Sequence, residues 1–260
     1  ISPSPAPAPS LSLPETLRQT TIALERLTPY LPPGLLPRLL ARLSSVEGEQ
    51  GARVAEYDSG EHRLVAILFA NFVGASDLVE RLGPGREADI ARALNDYFVV
   101  MDEIVERYGG VVNKIDLNDR GDKLMALFGA PVAHEDDAER AVRAALDMQR
   151  ALEEHCTWAQ QRIGVSTGMV FAGHVGGAMR REYTVMGDEV NLAARLMSAA
   201  QAGEVLLAGY VQRKVRAFFE VADRGEVRLK GKSKPVPTFT IVGRRAQPEP
   251  VRGIRGLRST

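Results

Sequence analysis

A single cysteine, Cys156, stands in the 260 residues, which excludes an internal disulfide and the stapled scaffolds of small secreted domains. A reducing, cytoplasmic setting is the expectation. Net charge is missing too: 33 lysines and arginines offset 33 aspartates and glutamates, so no basic excess calls for a nucleic acid. Aromatic residues make up only 6% of the chain, few for a module that stacks RNA bases on its strands. The longest apolar run without charge, Leu64–Ser76, falls short of the ~18 residues of a membrane-spanning helix, so no membrane is expected in this segment. No charged stretch followed by an apolar one opens the chain, as a signal peptide would. It begins at Ile1 rather than methionine, which suggests a piece of a longer polypeptide.

What is present sorts into four parts. Residues 1–14 form a proline-, serine- and alanine-rich tract that cannot bury enough apolar surface to fold and reads as a linker. Residues 15–61 read as a helical neck and connector, interrupted by Pro29 and by Pro32 and Pro33. Residues 62–243 are expected to form one α/β domain, and 244–260 a flexible tail. Within the domain, Leu64–Phe69 is a short apolar run of the kind that makes a buried strand. Leu94, Tyr97, Phe98, Met101, Ile104, Val105 and Tyr108 recur at helical spacing up to Gly109 and Gly110. Strands are predicted at Val111–Leu117 and Lys123–Phe128 around a polar turn, then a helix over Glu135–Glu154. A strand over Ile163–Val175 follows, with a return at Glu182–Val185, a helix over Glu189–Ala200, and short strands near Val205 and over Val236–Val242. The order predicts an α+β, ferredoxin-like split βαβ sheet with helices on one face and antiparallel hairpin additions.

Several polar clusters have ordinary explanations. Gly173-His174-Val175-Gly176-Gly177 follows a strand but leads into a hairpin, so it lacks the helix dipole that makes a phosphate loop bind. His134-Glu135-Asp136-Asp137 opens a helix, where acidic residues are favoured by capping and the dipole. Cys156, beside Trp158, reads as packing, as do Met101, Met125 and Met148. Asn191 and Arg195 differ: four residues apart, they share one helix face, and a guanidinium fork suits charge developing on phosphate oxygens.

Three segments, LFANFVGAS, GDKLMALFGAPVAHEDDAERAV and REYTVMGDEVNLAARL, occur in the order and context of the catalytic domain of class III nucleotidyl cyclases, and the region from about His62 to Val242 resembles that family. The resemblance implies attack of a nucleotide's ribose 3′-hydroxyl on its own α-phosphate, assisted by two Mg²⁺ or Mn²⁺ ions held between two aspartates. Asp122 matches one aspartate; Asn71 stands at the other, offering a neutral carbonyl oxygen where a carboxylate is usual. Asn191 and Arg195 match the pair that orients the ribose and stabilises the pentavalent phosphorus. Thr184 matches one base-reading position and Lys114 the other, although Lys114 lies eight residues before Asp122 where the usual interval is four. A lysine donor pairs with adenine N1, so ATP is the expected nucleotide. Lys230 aligns with a lysine that contacts the triphosphate.

Losing one aspartate while keeping the other residues is similar to the second half of a tandem, bicarbonate-responsive soluble cyclase. The implied partner is a second cyclase domain of the same polypeptide or a homodimer mate. The implied product is cyclic AMP, made at a dimer-interface site to which this chain contributes base-reading and transition-state residues. The alternative is a regulatory pseudo-cyclase that binds a nucleotide or small anion without catalysis.

Overall fold

The computed structural model describes residues 18, 21, 22, 60–117, 122–176, 181–228 and 235–246. The chain divides into two units, Ile1–Ala52 and Arg53–Thr260. In the first, Arg18, Thr21 and Ile22 are helical. The expected linker, most of the neck and connector, and most of the tail lie outside the described residues.

The second unit is built on β1 (Glu61–Val73), whose apolar centre is buried on both faces and pairs with a strand on either side. A short helix α1 (Ala75–Leu82) leads to α2 (Glu87–Arg107), which opens on Glu87 and Asp89 as the helix dipole favours. It stops where Gly109 takes φ 72°, a conformation that costs glycine little, and where the Gly110 N–H donates to the Val105 carbonyl at 3.0 Å. The hairpin of β2 (Val111–Asp116) and β3 (Asp122–Phe128) follows, then α3 (Asp137–His155) and β4 (Gln160–Gly176). The second half runs β5 (Arg181–Met186), α4 (Asp188–Ala199), β6 (Val205–Ala208), α5 (Gly209–Val215), β7 (Phe219–Val227) and β8 (Val236–Arg244). No helix among the described residues is long and apolar enough to cross a membrane.

The strands form an eight-stranded sheet in the order β2-β3-β1-β4-β6-β8-β7, with β5 paired to β4. Its first four strands carry the split βαβ arrangement, β3 lying antiparallel between β2 and β1. The sequence pattern gave no notice of α1, α5 or β7. The two helices are too short for a clear period, and β7 is an edge strand whose exposed Glu220, Arg224 and Glu226 hide its alternation.

Ala66, Leu68, Ala70 and Phe72 point from β1 into the core shared with Tyr97 and Met101 of α2 and Ala144, Ala145 and Met148 of α3. Phe72 stacks on Tyr97 with ring centroids 4.2 Å apart. Met101, Met125 and Met148 are all buried, as is Cys156, whose thiol burial pushes above its ordinary pKa and so keeps unreactive. The remaining long helix, α4, takes the opposite face. Strand residues alternate between faces, and Gly164, next to the core residues Ile163 and Val165, faces α4. A Cβ there would sit 2.2 Å from the Met197 nitrogen and 2.4 Å from the Ala193 oxygen. The sheet therefore carries α2 and α3 on one face and α4, seated on a glycine, on the other. Ser166 donates a hydrogen bond to the Glu189 carboxylate at the start of α4.

Gly164→Ala is expected to destabilise the domain by about 3 kcal/mol, the upper part of the usual range for overpacking, because the obstacles are backbone atoms that cannot rotate away. Gly243, where an added methyl meets nothing within 4 Å, is the control. Urea midpoints read the difference, and an unshifted midpoint for Gly164→Ala would mean that α4 is not seated as described.

Candidate active site

The expected site residues fall into three groups, which no side-chain hydrogen bond joins among the described residues.

The first group lies where β1 ends and β3 begins. Asn71 is 8% exposed, and its Nδ2 donates to the backbone carbonyl of Asp122 at 3.0 Å. The two positions thus meet, but through Asp122's main chain. In register, Asp122 is opposite Phe72, on the side of the sheet facing α2. Burial holds the Tyr97 phenol well above its ordinary pKa, and the charges of Cys156 and Asp122 add smaller contributions. Asn71 is opposite Lys123 on one side and Arg162 on the other. Arg162 Nε is buried and has no hydrogen-bond partner among the described residues.

The resemblance implies Mg²⁺ or Mn²⁺, and this group does not fit a two-ion site of its own. The amide N–H of Asn71 already supplies the positive end to the Asp122 carbonyl that a cation would otherwise face. Lys123 and Arg162 flank the same position, and cations there oppose the approach of a divalent ion. Among the described residues no three His, Cys, Asp or Glu side chains cluster as metal ligands.

The second group joins β2 to β5. Thr184 Oγ1 donates to Asn113 Oδ1 at 3.4 Å, and Asn113 Nδ2 donates to the Tyr183 carbonyl at 2.7 Å. Lys114 follows Asn113 and is half exposed, its Nζ 3.7 Å from Asp116 Oδ1. The register of β2 against β3 slips between Val112 and Lys114. That irregularity takes Asn113 out of the ladder, where its amide reaches β5. Asn113, next to Lys114 in the chain, thus reaches Thr184, 71 residues away.

The third group is on α4. Leu192, Ala193 and Leu196 are buried, while Asn191 is exposed and Arg195 half-buried. Neither polar residue has a side-chain hydrogen bond among the described residues. Lys230 lies outside the described residues.

Three participants escaped the sequence pattern. Arg162 and Lys123 matter only through the register of β4 and β3 against Asn71, which spacing along one strand cannot reveal. Asn113 had a local signal, a carboxamide beside the hairpin's lone lysine, but its partner is distant in the chain. At the opening of α3, the His134 N–H donates to Asp137 Oδ2 at 2.9 Å and its ring lies 3.2 Å from Oδ1, while Asp136 at the N-cap makes no side-chain capping bond.

A ferredoxin-like sheet with a β2–β3 hairpin at the end of β1 and a polar helix face on α4 is the architecture of a nucleotidyl cyclase domain, and the family match assigns it to that class. The chain belongs to the adenylate and guanylate cyclase catalytic domain family, whose pattern matches residues 57–243. It is similar to the adenylyl cyclase CyaB from P. aeruginosa, with 29% identity, a TM-score of 0.65, and coverage of 73% of this chain and 98% of that one. It is also similar to the guanylyl cyclase Cya2, with 30% identity, a TM-score of 0.64, and coverage of 72% and 95%. An uncharacterised Mycobacterium tuberculosis protein is 35% identical over 204 residues, covering 75% of this chain and 36% of that protein. The chain thus spans about a third of the length of the curated relatives it matches. Domains of this family bind nucleotide and act as dimers.

Proposed function

We propose that this chain forms half of an adenylyl cyclase site, supplying base-reading and transition-state residues for conversion of ATP to cyclic AMP and diphosphate. A partner cyclase domain, in the same polypeptide or in a mate, supplies both metal-binding carboxylates. The observation that carries the reading is the hydrogen bond from Asn71 to the Asp122 carbonyl, which commits the Asn71 side chain to a main-chain oxygen instead of a metal, while Asn191 and Arg195 on α4 have no side-chain hydrogen bond among the described residues. In this division Lys114 and Thr184 face the base, Asn191 orients the ribose, Arg195 meets the charge that develops on the α-phosphate, and Lys230 reaches the triphosphate.

One observation favours a second reading. The buried Nε of Arg162, without a hydrogen-bond partner among the described residues, lies beside Asn71 and supports a metal-free half-site that holds a small anion or phosphate and signals by conformation.

A cyclase assay separates the two. The full chain alone is expected to turn over Mg²⁺–ATP at background level. Mixed with a cyclase domain that retains both carboxylates but has lost its own Asn and Arg pair, it is expected to restore cyclic AMP formation. Failure of every such mixture, with dimers verified, would favour the regulatory reading. Robust turnover by the chain alone would overturn the division of labour.

A further inference from the structure

We propose that Asn113 is a positioning residue for base choice, fixing the Thr184 hydroxyl as a hydrogen-bond acceptor and thereby selecting adenine over guanine. The inference rests on the reading of Lys114 and Thr184 as the base-facing pair.

The Tyr183 carbonyl can only accept, so the Asn113 atom 2.7 Å from it must be the NH₂ group. That bond fixes the orientation of the carboxamide and turns Oδ1 toward Thr184, whose Oγ1 is 3.4 Å away. A threonine hydroxyl has one proton and two lone pairs. Once the proton points at Asn113 Oδ1, only lone pairs face away from it. Adenine carries an exocyclic amine where guanine carries a carbonyl oxygen. The amine can donate to the lone pairs of Thr184, whereas the guanine oxygen would meet them with no proton between.

Without Asn113, the hydroxyl rotates freely and serves either base. Lys114, adjacent in the chain, supplies the complementary donor for adenine N1. A donor next to an enforced acceptor matches the Watson–Crick edge of adenine and mismatches that of guanine. The β2 irregularity is what brings the amide within reach of β5.

The test is calorimetric titration of the reconstituted pair, this chain mixed with the carboxylate-bearing cyclase domain, with ATP and, separately, GTP as their 3′-deoxy analogues, which cannot cyclise, for the wild type, Asn113→Ala, Thr184→Val and the double variant, with melting curves as a folding control. The wild type is expected to prefer ATP. Asn113→Ala is expected to lose about tenfold of that preference, the scale of one hydrogen bond placed for discrimination. Thr184→Val is expected to lose a similar factor, and the double variant no more than either alone, because Asn113 acts through Thr184. A merely structural role would weaken both nucleotides equally and leave their ratio alone.

If the wild type binds neither nucleotide, or binds both equally, the base-reading assignment itself falls and takes this inference with it. If the wild type prefers ATP and Asn113→Ala keeps the preference, or the two losses add, the role of Asn113 alone is overturned. Should Asn113→Ala melt before titration, the same decision comes from Asn113→Leu, which keeps the volume but removes both hydrogen bonds: a lost preference is expected, and an unchanged ratio would overturn the inference.

Discussion

Arg195→Ala is expected to lower kcat of the completed pair by about two to three orders of magnitude while KM for ATP stays within about threefold, the signature of a contact made in the transition state. The geometry gives the reason. Arg195 is half-buried on α4, and its guanidinium has no side-chain hydrogen bond or ion pair among the described residues. A guanidinium is most strongly engaged when charge develops near it, as it does on the oxygens of the α-phosphate during cyclisation. Arg195→Lys is expected to recover little, since an ammonium keeps the charge but loses the planar fork. Steady-state kinetics on the reconstituted pair decide the matter. An unchanged kcat with a raised KM would move Arg195 from the transition state to ground-state binding.

Such a residue was legible in the sequence because it sits on a helix. Asn191 and Arg195 are four apart, and a single period places both on one face. The split βαβ order was legible for a similar reason: β1, α2, the hairpin and α3 each carry a local apolar pattern, and a short hairpin loop leaves one way to pair its strands. What lay beyond the sequence depends on relations between strands. Lys123 and Arg162 flank Asn71 only because β3 and β4 pair with β1 in one register, and shifting either by one residue would move those cations to the other face. Asn113 reaches Thr184 only because β2 slips out of register at that residue. The seat of α4 depends on the missing side chain of Gly164, and a glycine in a strand does not say which backbone approaches it.

Asn71→Asp is expected to turn the metal half from self-satisfied to metal-dependent. In the wild type, the Asn71 amide donates to the Asp122 carbonyl. The aspartate has no such donor and sets a carboxylate against that carbonyl, so without metal the variant is expected to be less stable by about 1 kcal/mol, the scale of one lost hydrogen bond. A divalent cation between the two oxygens removes the conflict. At a hundred times its Kd, bound Mn²⁺ stabilises the folded state by about 2.7 kcal/mol, worth a rise of about 5–10 °C in Tm for a domain of this size. The wild type is expected to show no comparable rise. Mn²⁺ should act before Mg²⁺, which demands near-ideal octahedral geometry. With Lys114, Thr184, Asn191 and Arg195 of an opposing copy in place, the homodimer should then gain metal-dependent turnover of ATP.

The competing outcome is equally physical. Lys123 and Arg162, on either side of position 71, could capture the new carboxylate themselves. The variant would then be more stable than the wild type in chelator and indifferent to Mn²⁺. Melting curves with and without the ion distinguish the two before any activity is measured. Capture would mean that the flanking cations, rather than the missing carboxylate alone, keep metal out of this half. It would also make Asn71, Lys123 and Arg162 together the better candidate for holding an anion.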